Sequence, residues 1–367
     1  MKKSLIALAV AGAFSGAAFA QSSVTLSGIV KGGVQSVKYS NAAGVAPGNN
    51  NGSQVGMADG SSRFIISGSE DLGGGLRGIF QIDTRWRLEE GGGTLAGGNT
   101  FLGLAGAFGD VRIGRLDLHY GNGTDEHAAR ATALTASSIT ILSYIDANAI
   151  AKGTRTNNVI QYNSPALGPV RLSAAYSTAY NGADGAPANA KGDAFHVQAT
   201  LAMAPLRAGV SVWSAESERA SGVNPAVQED AIRGWFGLTF GPFDFGVTYD
   251  QSKREAPFGT ETKRAAWSVP LKFTLPANAG TLLATYSSAG NRKVNGASVA
   301  DSGARLISVG WDYGLSRRTS LGVSVADLKN KQNAQYALFT GAALANLPNP
   351  SANQDARQIY VGLRHTF

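Results

Sequence analysis

Along most of this chain apolar and polar residues alternate one by one, the period of a strand with one greasy and one wet face. Residues 195–201 set Phe195, Val197, Ala199 and Leu201 against His196, Gln198 and Thr200. The pattern returns in residues 243–250, 267–273 and 307–313, and again at 358–367, where Ile359, Val361 and Leu363 oppose Gln358, Tyr360, Gly362, Arg364 and Thr366. Connections come in two kinds. Short ones fall at residues 69–74, 108–110, 164–169, 204–205, 241–242 and 314–318; long polar ones at 40–60, 116–154, 180–192, 217–228, 291–301 and 329–353. This spacing predicts an all-β, antiparallel up-and-down barrel of about sixteen strands, with short turns at one end and long loops at the other.

The first twenty residues bear on which apolar medium the greasy face meets. Met1-Lys2-Lys3 is a basic start, residues 5–10 are apolar, and Ala18-Phe19-Ala20 is a small-x-small site before Gln21. The reading is a secretory leader over 1–20, cleaved near Ala20, and one barrel domain over 21–367. No later apolar run approaches the roughly twenty residues of a membrane helix. In a soluble sandwich the greasy face would be a core. Charges on the wet faces, and aromatics near strand ends such as Phe240, Phe243, Trp311 and Phe367, fit a lipid-facing band with interfacial girdles instead. Closure into a barrel also satisfies every backbone polar group in lipid. The expected location is therefore the outer membrane.

Composition adds little beyond this. Cysteine is absent, so neither disulfides nor thiolate metal sites are available. The formal charge is +7, and setting Lys2 and Lys3 aside leaves +5. Export argues against nucleic acid as the partner and turns attention to where the cations sit. With the greasy face in lipid, the lumen face carries Arg63, Asp83, Arg85, Arg87, Arg112, Arg155, Arg171, His196, Arg207, Arg233, Asp244, Asp250, Lys272, Asp312 and Arg364. Arginine outnumbers carboxylate, and a narrow low-dielectric passage lined by one sign of charge concentrates the opposite ion. The solutes expected are small and anionic or neutral. The connection 116–154 is the longest, with a possible helical stretch at 128–136 and an apolar run Ile139-Thr140-Ile141-Leu142. Folding inward would bury that run and set Asp117, Asp125, Glu126 and Asp146 opposite the wall arginines.

Several stretches in this order resemble Gram-negative general porins of the trimeric diffusion type, closest to the beta-proteobacterial branch. They are Gln21-Ser22-Ser23-Val24-Thr25-Leu26-Ser27-Gly28, Ser62-Arg63-Phe64 leading to residues 68–76, and Phe108-Gly109-Asp110-Val111-Arg112-Ile113-Gly114-Arg115. The series continues with residues 155–165 and the terminal Val361-Gly362-Leu363-Arg364-His365-Thr366-Phe367. The resemblance implies sixteen strands, a homotrimer, and a third loop folded inward as a constriction facing an arginine ladder. By motif the ladder falls on Arg63, Arg115 and Arg155, with Asp83, Arg85, Arg87, Arg112 and Arg171 as further lumen charges. It also implies contact with outer-membrane lipids and lipopolysaccharide, and handling by the barrel-assembly machinery through Phe367. Arg115 shares parity with Val111 and Ile113, so a bulge or the strand's end must turn it inward. The third loop lacks a Pro-Glu-Phe-Gly-like stretch, and Asn99 and Ser67 stand where relatives often place further cations.

Two rival chemistries have weaker support. A barrel hydrolase needs a histidine with an acid and a nucleophile; His119 and His127 lie near Asp117, Asp125 and Glu126 in sequence, without a nucleophile motif. The Glu126-His127 pair is no metal ligand set, and the stretches at 91–94 and 121–124 lack the lysine and helix of a phosphate loop. No cofactor is expected. A substrate-specific channel for an anionic metabolite is the nearer rival, with Tyr120, Tyr144, Trp213 and Trp235 as candidate aromatic surface.

Overall fold

The computed structural model describes residues 22–40, 53–119, 122, 136–145, 148–149, 154–180, 192–217, 227–256, 259–338 and 351–367. Sixteen strands form the wall: β1 (Ser23–Tyr39), β2 in two segments (Ser53–Asp59 and Arg63–Gly73), β3 (Leu76–Trp86), β4 (Thr100–Gly106), β5 (Gly109–Leu116), β6 (Thr156–Asn163), β7 (Val170–Ser177), β8 (Asp193–Met203), β9 (Leu206–Glu216), β10 (Gln228–Phe240), β11 (Phe243–Glu255), β12 (Glu261–Thr274), β13 (Thr281–Ala289), β14 (Ala304–Gly314), β15 (Thr319–Asn330) and β16 (Ala356–Thr366). Each pairs antiparallel with the next, and β16 closes on β1 from Ile29↔Thr366 to Tyr39↔Ala356. The seam is finished by the last residue. Gly28 and Phe367 exchange backbone hydrogen bonds of 3.0 and 3.2 Å, and a Cβ on Gly28 would lie 2.3 Å from the Phe367 ring. Glycine at 28 is thus what lets the terminal aromatic lie flat against β1.

Burial is inverted relative to a soluble domain. Leu26 is 62% exposed, Leu102 60% and Val361 49%, while Arg233, Asp250 and Gln358 are fully buried. A contiguous apolar belt of this extent is untenable in water and natural in hydrocarbon. The alternations at 195–201, 243–250, 267–273, 307–313 and 358–367 all hold, with the apolar members outward.

The loop boundaries need correction. Residues 53–59, expected within a long loop, pair with β1, and Ser61 at φ 72° marks the break that separates them from Arg63–Gly73. Residues 69–73 continue β2, because the glycines with positive φ that turn the chain begin only at Gly73. Residues 275–280 form a short turn that carries no strong sequence signal beyond Pro276, Asn278 and Gly280. Residues 87–99 form a loop whose Gly93–Thr94 folds back onto Arg85 and Trp86.

The lumen is partly filled. In the third loop a single helical turn, α1 (Ile139–Leu142), is fully buried and packs on the inner faces of β12, β13 and β14. Ile, Thr and Ile are poor residues for an isolated turn, so burial rather than propensity holds it. The expected helical stretch at 128–136 lies outside the described residues except for Ala136. The wall beneath α1 is made of small side chains, with Ala266, Ala289 and Ala304 in successive register. Tyr336 and Leu338 of the loop after β15 join the same cluster. A second cluster places Leu116 and Leu118, at the entry to the third loop, against Val159, Trp213 and Ala231.

Candidate functional site: the lumen and its inward loop

Two sets of charged groups meet the third loop. The first fastens it. Helix α1 ends with an orphan carbonyl on Leu142, and two wall arginines donate to that oxygen, Arg233 Nη2 at 2.9 Å and Arg264 Nη2 at 3.2 Å. Arg233 also donates to Ser143 Oγ at 3.2 Å and to the Asn122 carbonyl at 3.1 Å. Asp250, between the arginines, accepts from Arg233 Nε at 2.9 Å, Arg264 Nη1 at 3.3 Å and Ser252 Oγ at 2.5 Å. All three ionic side chains are completely buried. Ser211 Oγ lies 2.6 Å from His119 Nδ1 and 3.1 Å from His196 Nε2; Asn122 Nδ2 reaches Gln198 and Ser211, both at 3.2 Å. Two points of the loop, at 119–122 and 142–143, are therefore bolted to β8 through β12.

Ser211, His119 and Asp250 lie in the order of a hydrolase triad, with His119 Nε2 3.8 Å from Asp250. The chemistry does not follow. Ser211 and His119 have no exposed surface, and Asp250 is spent on two guanidiniums and Ser252. Arg264 escapes the sequence reading although it shares parity with Ser268 and Lys272; extending the alternation of residues 267–273 three positions back reveals it.

The second set lies at the opposite wall. Arg63 and Arg85 are direct cross-strand partners. Arg85 donates to Ser61 Oγ at 2.7 Å and to Asp83 Oδ2 at 2.8 Å. Arg63 lies in the field of Arg85, Asp83, Asp117 and Arg364. Asp117, at the start of the third loop, accepts from the Arg155 backbone N–H at 2.7 Å and donates its own backbone N–H to Asn99 Oδ1 at 2.6 Å. Arg115 opposes Thr100, donates to Asn157 Oδ1 and stands in the field of Arg155 and Asp117. The ladder from β5 to β6 shifts here, with Leu116 opposite Thr156 but Gly114 opposite Val159. The extra residue lies on the partner strand at Asn157 and Asn158, with φ 51° at Asn158, whereas β5 itself pairs regularly with β4 up to Arg115↔Thr100, one residue before its end. Four guanidiniums, Arg63, Arg85, Arg115 and Arg155, gather around two carboxylates, Asp83 and Asp117. The Nε–H groups of Arg63, Arg85 and Arg115 make no hydrogen bond among the described residues.

The remaining sequence candidates lie elsewhere. Arg87 is one residue beyond β3, in the 87–99 loop, paired with Glu90 at 2.7 Å. Arg112 is bound to Asp110 at 2.6 Å and stacks on the Phe101 ring at 4.7 Å, near the short-turn end. Arg171 is exposed, one residue into β7 from the same end. Asp125, Glu126 and Asp146 lie outside the described residues, as do Tyr120 and His127. Trp213 is fully buried, clustered with Leu116 and Leu118 at the entry to the third loop, and Trp235 is nearly buried, its ring against Gly209 of the adjacent strand.

A closed sixteen-strand barrel with an apolar outer belt, a polar lumen and an inward third loop defines a membrane channel. The Gram-negative porin family model matches residues 7–333, and the chain belongs to that family: it is an outer-membrane porin. Outer membrane porin protein 32 of Delftia acidovorans is 30% identical over the full length of both chains. Among solved structures, an anion-selective porin from Comamonas acidovorans superposes with a TM-score of 0.76 at 24% identity, covering 95% of this chain and all of that one. The trimer form of OmpT from Vibrio cholerae has the same fold at 13% identity and a TM-score of 0.68, covering 94% of this chain and 99% of that one.

Proposed function

We propose that the chain is a general diffusion porin that prefers anions, with Arg63, Arg115 and Arg155 on the wall of its constriction and Arg85 beside them. The observation that carries this reading is the crowding of four guanidiniums around Asp83 and Asp117, which leaves the cluster with an excess of positive charge. A net positive cluster beside a low-dielectric wall raises local anion concentration and excludes cations. The anion-selective porin of the same fold supports the same reading. Asp117, Asp125, Glu126 and Asp146 form the acidic, loop-side complement, of which Asp117 contacts the wall set. Arg112 and Arg171 act nearer the short-turn mouth, and Arg87 outside the lumen.

Residues 1–20 serve as a cleaved export leader, Phe367 as the handle for barrel assembly, and a homotrimer embedded in lipopolysaccharide-bearing membrane as the working form. Cross-linking together with unheated gel migration tests the trimer, and a monomer that still conducts would overturn it. A solute series in planar bilayers tests the channel class. Unsaturable, size-limited passage of sugars, phosphate and carboxylates is expected; saturable conductance blocked by one solute would assign a substrate-specific channel instead.

A further inference from the structure

The neck of the third loop is closed by a side chain where the next backbone rung would stand. β5 ends and β6 begins on the pair Leu116↔Thr156, both buried, with Leu116 in the lumen-side cluster of Val159 and Trp213. One rung further would oppose residues 117 and 155 and, by alternation, turn both away from the lumen. The chain takes another course. Asp117 Oδ1 accepts from the Arg155 N–H at 2.7 Å and from Thr154 Oγ1 at 3.4 Å, and Arg155 takes φ 45°. That is the left-handed region, which a residue with a long side chain keeps only when its surroundings hold it there.

Asp117 is itself held. Its backbone N–H donates to Asn99 Oδ1 at 2.6 Å, and the Asn99 carbonyl accepts from Gln81 Nε2 of β3 at 2.8 Å. On either side of Asn99, the Gly98 N–H donates to the Asp83 carbonyl at 2.9 Å and Thr100 Oγ1 accepts from the Asp83 N–H at 3.3 Å. One chain of hydrogen bonds therefore runs from β3, which carries Asp83 and Arg85, through residues 98–100 and Asp117 to the exit of the loop at Arg155. Asp117 Oδ2 makes no hydrogen bond among the described residues. The acid thus offers one oxygen as a clamp and the other as bare charge, felt by Arg63 and Arg115.

We infer that Asn99 and Asp117 are positioning residues for anion passage: they hold the backbone of Arg155 in its left-handed conformation and so keep its guanidinium beside Arg115 at the constriction. Asp117 then acts on selectivity twice, with opposite signs. Its charge offsets the cations, while its Oδ1 keeps one of them in place. Without that acceptor the neck relaxes onto the extra rung, and alternation carries Arg155 out of the pore. This rests on Arg155 belonging to the constriction, and it adds what places it there.

Reversal potential in a potassium chloride gradient, measured on the assembled protein in planar bilayers, separates the two actions. Asp117→Asn and Asp117→Ala remove the same charge, but only Asn keeps an acceptor. The anion-to-cation permeability ratio should be roughly twofold lower with Ala than with Asn. Asn99→Ala changes no charge and should lower the ratio below wild type, so the inference keeps its test if Asp117→Ala fails to assemble. In an Arg155→Gln background the two Asp117 variants should give equal ratios, which a general loosening of the pore would not produce. Equal ratios for the two variants beside Arg155, a difference that persists without it, or a wild-type ratio in Asn99→Ala overturns the positioning role and leaves the constriction reading intact. A ratio unchanged by Arg155→Gln alone overturns the constriction reading and the positioning role with it.

Discussion

Arginine and aspartate meet the third loop twice, and the two places use the same side chains differently. At Arg233, Asp250 and Arg264 the charges are dry, mutually neutralising and aimed at a backbone carbonyl, so they are mechanical. At Arg63, Arg85, Arg115 and Arg155 the side chains are partly exposed and cations outnumber anions. A count of lumen arginines therefore does not measure selectivity. Burial and partnership decide which ones a passing ion feels, because a neutralised pair behind the loop projects little field into the pore.

Breaking the fastening set should have the largest effect on the fold. Asp250→Ala leaves two guanidiniums facing each other without a counter-charge, at a cost of about 3–5 kcal/mol, visible as a lower temperature for loss of the folded gel band. Replacing the set together, Arg233→Met, Arg264→Met and Asp250→Leu, should recover most of that stability. It still leaves the Leu142 carbonyl without its donors, so single-channel records should be noisier and the mean conductance higher. Recovery of both stability and quiet channels would mean that packing alone holds α1.

Within the selectivity set, Asp117→Asn keeps an acceptor for the Arg155 N–H while removing the charge. The anion-to-cation permeability ratio should rise by roughly a factor of two. Neutralising Asp125 and Glu126 together should shift it in the same direction by less, and an effect that vanishes at 1 M salt, where the Debye length is about 3 Å, would place them outside the constriction.

The smallest expected effect belongs to neither set. Glu89, in the 87–99 loop, has both carboxylate oxygens buried without a hydrogen bond, and burial first, then Asp59 and Glu90, push its carboxyl above the ordinary range. A raised folded value for an acid penalises the fold once it ionises. Glu89→Gln should thus melt slightly higher than wild type at neutral pH, with the difference disappearing as pH falls below the ordinary carboxylate range. A difference independent of pH would point to packing instead.

Much of this was legible in the chain. Period-two alternation placed the belt and the lumen, and the apolar run at 139–142 announced a segment that needs cover. What faces that run was also written, as alanines on the lumen parity at 266, 289, 304, 326 and 356, which leave room for a loop. The fastening set was only half visible, because Arg233 and Asp250 read as pore charges until the loop is seen to cover them. The Arg115 position was hidden for a different reason: it stands one residue from the end of β5, and the bulge in this region, at Asn157 and Asn158, breaks the parity of the neighbouring strand.

The distinction between the two sets is tested most directly by reversal potential in a salt gradient, measured for wild type and for the double variant Arg63→Ser, Arg155→Ser. Wild type should pass chloride better than potassium, and the double variant should lose most of that preference while conducting more, since the proposed constriction loses two long side chains. A cation-preferring wild type, or a double variant with unchanged potential and conductance, would contradict it.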